Sequence, residues 1–214
     1  DVRWTPACAP ADDDVRAAIA IAREEGVPLL PRGGATSQSG QTVGRALVVD
    51  FSKHLNRLIS ADPEARTCVV EPGIVLDELN RQLRATGLWF PVDVSTASRA
   101  TIGGMAGNNS CGTRSIRYGI MRDNVIAIDA ILADGSEARF AEVGHNLAPS
   151  GFPPPLAPPR KGEGELSSKG DRNALEIFRD MLALGRREAE HIAQAFPEVS
   201  RRVATPPIGT SIED

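Results

Sequence analysis

Apolar and polar positions alternate along this chain in two distinct rhythms. From Asp12 to Glu25 the apolar residues Val15, Ala18, Ile19 and Ala22 recur at helical spacing behind three acidic residues, with Gly26 just beyond. That pattern predicts an amphipathic helix with acids at its positive end and a glycine stop. Val27-Pro28-Leu29-Leu30 follows as a short buried strand and runs into Pro31-Arg32-Gly33-Gly34. Further strands are predicted at Ala46–Phe51, Leu58–Ser60 and Thr67–Val70, the last two forming a hairpin around Ala61-Asp62-Pro63-Glu64. Val75, Leu76, Leu79 and Leu83 return to helical spacing before Gly87, which predicts a helix over 75–86.

Between 91 and 124 periodicity fades into small and polar residues, the composition of a long binding loop with one helical turn near 101–107. Val125–Leu132 and Glu137–Phe140 flank the turn Ala133-Asp134-Gly135-Ser136 and read as a hairpin. Six prolines then fall between Pro149 and Pro159, and a charged, glycine-bearing stretch extends to Gly170. This region, 144–172, reads as a loop or linker. Asp171–Phe196 is predicted helical through Leu175, Phe178, Met181, Leu182, Ile192 and Phe196, with Gly185 a weak point.

Composition narrows the function classes. A chain of 214 residues with 41% apolar and 24% charged positions suits one sizeable core or two small lobes. No apolar run approaches the length of a membrane-spanning helix. The opening Asp1-Val2-Arg3-Trp4 lacks a basic segment followed by an apolar one, so no secretory signal is read and a cytoplasmic location is expected. Net charge is −4 and the basic residues are scattered, which argues against nucleic acid as a partner. Cys8, Cys68 and Cys111 are too widely spaced for a disulfide framework or a zinc or cluster site, and reduced thiols are expected.

The stretch Gly33-Gly34-Ala35-Thr36-Ser37-Gln38-Ser39-Gly40-Gln41 carries small residues whose backbone N–H groups can reach a diphosphate without side-chain obstruction. A triphosphatase loop would end in Gly-Lys-Ser or Gly-Lys-Thr, and Gly40-Gln41-Thr42 has no lysine. A dinucleotide loop of the doubly wound kind would open a helix, whereas this one leads to the strand at 46–51. Taken alone, the loop remains open between a cofactor cradle and a plain surface loop.

Read together, Pro31–Gln41, Glu71-Pro72-Gly73, Phe90-Pro91-Val92-Asp93 and Ala100–Asn109 resemble the FAD-binding domain of the vanillyl-alcohol oxidase and p-cresol methylhydroxylase superfamily. Ser110-Cys111-Gly112, Arg117-Tyr118-Gly119 and Asp123-Asn124-Val125 are most similar to its FAD-linked oxidases, the relatives of glycolate oxidase and of D-lactate and D-2-hydroxyglutarate dehydrogenases. The resemblance covers about 10–140. It implies an α+β, two-lobed domain, a small N-terminal βαβ lobe over 1–60 and a larger mixed-sheet lobe over 61–143; composition and periodicity add the linker 144–172, a helical segment 173–203 and a tail 204–214. By the same resemblance Pro31, Arg32, Gly33, Gly34, Ala35, Thr36, Ser37, Gln38 and Ser39 would wrap the FAD pyrophosphate. Pro91, Asp93, Thr96, Ala97 and Ser98 would lie along the ribityl and adenosine side. Thr101, Ile102, Gly103, Gly104, Asn108, Asn109, Ser110, Cys111, Gly112, Tyr118 and Val125 would approach the diphosphate and the isoalloxazine edge.

Relatives of this type oxidise a 2-hydroxy acid by hydride transfer to FAD and pass the electrons to a separate acceptor. Their substrate groups come from a cap domain, so a hydroxy-acid partner is expected only with a cap, and no catalytic residue is assigned here. Members with covalent flavin carry a histidine where this chain has Ala35 or Thr36, so FAD is expected to be non-covalent. After Val203 relatives continue with a flavin-contacting segment, whereas Ala204-Thr205-Pro206-Pro207 follows here. The chain therefore reads as truncated, with a non-catalytic FAD-binding or interaction protein as the alternative. A cell-wall enolpyruvyl reductase or a molybdenum hydroxylase flavin subunit would share the fold, but the segments at 107–112 and 117–119 favour the oxidases. Cys111 reads as a packing residue, and His54, His145 and His191 have no metal-ligand spacing. Arg114, Arg117 and Arg122 read as a solvated basic turn rather than an anion site. Asp93 either bonds ribose or caps a turn, and Tyr118, the single tyrosine, is a candidate stacking residue.

Overall fold

The computed structural model describes residues 7–8, 12–141 and 168–195. Its elements run β1 (Ala7–Cys8), α1 (Asp12–Glu24), β2 (Leu29–Arg32), β3 (Leu47–Asp50), β4 (Leu58–Asp62), β5 (Thr67–Val70), α2 (Leu76–Leu83), α3 (Ile102–Gly107), α4 (Ser115–Tyr118), α5 (Met121–Asn124), β6 (Ala127–Ile131), β7 (Glu137–Ala141) and α6 (Ser168–Ala195). Residues up to Asn124 make one compact unit and those from Val125 a second.

In the first unit β1, α1 and β2 form a βαβ turn, with β3 inserted between the strands as the centre of a parallel sheet ordered β1-β3-β2. α1 starts on Asp12, Asp13 and Asp14 and buries Val15, Ile19 and Ala22. It stops because Gly26 takes a left-handed backbone (φ +62°) and Val27 N–H returns to the Ala22 carbonyl at 2.8 Å, a glycine stop of the kind the pattern predicts. Val48 and Val49 of β3 are buried, and β2 and β3 are matched from Leu29 with Leu47 through Arg32 with Asp50. The loop 33–46 therefore joins two parallel neighbours without an intervening helix.

The hairpin β4–β5 turns on Asp62, whose carboxylate accepts the N–H groups of Glu64 and Ala65 at 3.0 Å each. Beyond it, Ile74, Leu76 and Leu79 are almost wholly buried with Val92 and Met121. The predicted helix over 75–86 is α2, closed by a tighter turn at Arg84–Thr86 and by Gly87 (φ +74°).

The second unit holds the hairpin β6–β7 and α6, which packs against β7. The hairpins β4–β5 and β6–β7 are each a two-stranded antiparallel sheet. α6 runs unbroken through Gly185, which is buried. It begins at Ser168, inside the span read as linker, while 142–167 and the tail 204–214 lie outside the described residues. No helix among the described residues is long and apolar enough to cross a membrane.

Candidate functional site

The glycine loop leaves β2 at Arg32, whose Nη2 donates to Asp50 Oδ2 at 3.1 Å across the parallel pair; both side chains are largely buried. Asp50 Oδ1 in turn accepts from Ser52 N (2.9 Å) and Oγ (2.6 Å). Burial works against the Asp50 charge, but the Ser52 bonds and the Arg32 guanidinium outweigh it and hold the carboxyl below its ordinary 3.8. The root of the loop is thus pinned by a charged pair.

The first two glycines serve contact between loops. A Cβ on Gly33 would come within 2.0 Å of Thr101 Oγ1, and one on Gly34 within 2.1 Å of the Arg99 carbonyl. Thr101 itself is buried, with its Oγ1 accepting from Gly104 N at 3.3 Å. Arg99 N and Ala100 N donate to the Thr96 carbonyl, and Ala97 N to that of Val94. Loop 33–34 and segment 96–104 therefore lie against each other at backbone distance.

The 96–104 segment is itself stitched to the start of α2. Leu76 N donates to Ala100 O (3.0 Å), Asp77 N to Ala97 O (3.1 Å), Ile102 N to Ile74 O (2.9 Å) and Gly103 N to Pro72 O (2.8 Å). A Cβ on Gly103 would strike Pro72, and one on Gly73 the Phe51 carbonyl at 2.0 Å. Three glycine-bearing segments separated in sequence, at 33–34, 73 and 103–104, thus converge in one unit.

A third loop closes on Asp93. A Cβ on Gly112 would lie 1.7 Å from the Asp93 carbonyl. Asp93 Oδ2 accepts from Thr113 Oγ1 (2.8 Å) and Oδ1 from Arg114 N (3.0 Å). Burial again opposes its charge, and these bonds with the Arg114 charge prevail, so its pKa is lowered. The carboxylate is engaged in holding the 112–114 turn. Asn108 Nδ2 donates to Ser110 Oγ (3.2 Å), Asn109 Oδ1 accepts from Arg122 N (3.1 Å), and Ser110 exchanges backbone bonds with Met105 and Met121. Tyr118 packs edge-on to Trp89 at 5.3 Å. Cys111 is half-buried.

From Gly33 through Gln41 no backbone N–H donates a hydrogen bond to any described residue. Nearly all buried backbone donors in proteins find partners, and donors left open together in one loop must turn to water or a ligand. Of the other expected site residues, Thr101 and the segment before it lie against Gly33 and Gly34, while Val125 opens the second unit. Asp50, Ser52, Gly73 and Trp89 were missed at sequence level. Only the glycine of Glu71-Pro72-Gly73 carried a signal; the others become visible once strands and loops are paired.

A parallel sheet thus feeds a non-helical loop of open N–H donors in an α+β unit. The sequence profile described as FAD binding domain matches residues 7–141, and the chain belongs to that family, with the fold of the vanillyl-alcohol oxidase and p-cresol methylhydroxylase type. It is 32% identical over 193 residues to D-2-hydroxyglutarate dehydrogenase of Pseudomonas putida, covering 89% of this chain and 18% of the relative. Against glycolate oxidase subunit GlcD of Bacillus subtilis it is 36% identical over 129 residues, 59% of this chain and 27% of the relative. A solved structure of alkyldihydroxyacetonephosphate synthase superposes with a TM-score of 0.57 at 23% identity, over 68% of this chain and 27% of that one, and supports the fold. The chain spans about a fifth to a quarter of the length of these relatives. It is an FAD-binding domain of flavin oxidoreductases.

Proposed function

We propose that this chain supplies the cofactor-holding part of an FAD-dependent dehydrogenase acting on a 2-hydroxy acid, with FAD held non-covalently and a cap domain completing the substrate site. The observation that carries the reading is the run of open N–H donors from Gly33 to Gln41, set against Arg99–Thr101 by glycines that tolerate no Cβ. Residues Arg32 to Ser39 bind the diphosphate through backbone N–H groups. The segment from Pro91 through Ser98 follows the ribityl and adenosine side, and Thr101–Gly104, Asn108–Gly112 and Tyr118 border the ring. The lobes over 1–60 and 61–143, and a cytoplasmic location with a separate electron acceptor, belong to the same proposal.

FAD, when bound, supplies the ring that accepts a hydride from the carbinol carbon. The chain binds and orients that ring with backbone donors and keeps small residues where it must approach closely. Ala35 and Thr36 offer no nucleophilic side chain of the histidine kind, so acid precipitation should release all flavin into the supernatant.

The test is the visible spectrum of the purified chain before and after FAD is added. Binding should shift and sharpen the flavin bands; a spectrum identical to free FAD at excess protein sinks the cofactor reading. Anaerobic addition of D-lactate, glycolate or D-2-hydroxyglutarate to the cap-bearing protein should bleach the flavin. Bound flavin that none of them bleaches would remove the hydroxy-acid assignment while leaving the cofactor one.

A further inference from the structure

Thr113, Arg114, Ile116, Arg117 and Tyr118 line an open cleft of about 330 Å³. Trp89 stands behind it, its ring meeting that of Tyr118 edge-to-face at 83°. Arg114 Cζ lies 5.5 Å from the Trp89 ring centre, and Arg117 Cζ 5.2 Å from that of Tyr118. A guanidinium over an aromatic face is steadied by the ring's negative face, and its N–H groups stay available for an anion. Arg114 and Arg117 are three residues apart around the turn of α4, which sets them on neighbouring positions of one side.

The charges facing this cleft are unequal. Asp93 Oδ2 lies 3.8 Å from Arg114 Nε and offsets part of that cation, although the same carboxylate already accepts from Thr113 and from Arg114 N. Arg122 is directed to Asp123 at 3.3 Å. Arg117 makes no ion pair among the described residues. Around these cations the surface is apolar: Ile116 is 76% exposed and Trp89 43%. A turn that is merely solvated would present polar groups there; two cations among exposed apolar side chains suit a ligand that is anionic at one end and apolar at the other.

We propose that the cleft at Thr113–Tyr118 binds a small carboxylate anion with an apolar body. The carboxylate takes the N–H groups of Arg117 and Arg114, and the apolar body lies on Ile116 and the Tyr118 ring. This goes beyond the flavin reading; it shares Tyr118 with that reading but does not rest on it, because the measurement is made without FAD.

The only other tryptophan is Trp4, so a Trp4→Phe chain reports on Trp89 alone by its fluorescence. Phenylacetate should change that emission saturably, with half-saturation on the order of 1 mM for so few atoms. Acetate, which lacks the body, and benzyl alcohol, which lacks the charge, should each require at least about ten-fold more. Arg117→Gln should weaken phenylacetate by a similar factor, Arg117→Lys by less, and Arg122→Gln should change nothing. A non-saturating response to phenylacetate overturns the proposal. So does inorganic phosphate binding as tightly as phenylacetate, which would reduce the cleft to a patch of positive charge. Should Arg117→Gln fail to fold, undiminished binding by Arg117→Lys together with equal binding by benzyl alcohol would overturn it as well. FAD absorbance, read separately, remains a test of the cofactor reading alone.

Discussion

Ala35 sits in the glycine loop after β2 with a left-handed backbone, φ +54°. A Cβ there costs about 1–2 kcal/mol, partly offset by the extra freedom glycine has when unfolded. Ala35→Gly is therefore expected to raise the stability of the chain by up to about 1 kcal/mol, and Ala35→Val to lower it by about 1–2 kcal/mol, read as opposite shifts of Tm. Gly34→Ala should act differently. Its Cβ meets the Arg99 carbonyl, a backbone atom with nowhere to go, so a loss of about 3 kcal/mol with a matching fall in FAD affinity is expected in equilibrium unfolding and FAD titration. Wild-type affinity in Gly34→Ala would show that the contact between loops does not shape the cradle.

Asp50 gives a pH signature at the same scale. Its folded pKa is depressed, so the stability it contributes is present above the ordinary value of 3.8 and is lost as pH falls through the depressed folded value. Asp50→Asn should cost about 1–3 kcal/mol near neutrality through the weakened Arg32 bond. The gap between wild type and variant should narrow below pH 4 in urea unfolding. A gap constant down to pH 2 would mean that the ionised carboxylate is not what holds Arg32.

Among the elements, α2 carries the second glycine segment, because its first turn bonds to Ala97 and Ala100. Leu79, 1% exposed, anchors α2 in the core. Leu79→Ala should cost about 2–5 kcal/mol and, at temperatures where the chain remains folded, loosen 96–104 first. Faster amide exchange at Leu76 and Ile102 than at the β2–β3 ladder would register this. The elements with strong periodicity, α1, α2, β3 and the two hairpins, were legible in the sequence to within a residue or two, because one repeating face must be buried. β1, α4 and α5 were not: at two to four residues they are too short to hold a period, and they exist through bonds such as Asn124 Nδ2 to the Tyr118 and Ile120 carbonyls, each 2.9 Å. For the site, the small residues were legible, but the packing of one loop on another that several of them allow was not. Gly33, Gly34, Gly103 and Gly112 let protein segments touch one another, and the open N–H groups of the loop are what remain for a ligand.

For the whole molecule, the way the diphosphate is held decides how FAD binding responds to salt. A site built from lysine and arginine would lose affinity steeply as ionic strength rises, since exposed charges are screened beyond about 10 Å at 0.1 M. Here the stretch from Gly33 to Gln41 contains no cationic side chain, Arg32 at its root is engaged with Asp50, and the chain carries a net charge of −4. Backbone donors in a cradle act at contact distance, where mobile ions screen little, and the overall charge offers FAD no long-range attraction to lose. Raising sodium chloride from 50 to 500 mM should therefore change the FAD dissociation constant by no more than about three-fold. The association rate, free of steering, should stay nearly constant across the same range. A ten-fold or greater weakening would place the diphosphate on side-chain cations instead, and the arginines at 114 and 117 would be the first to substitute.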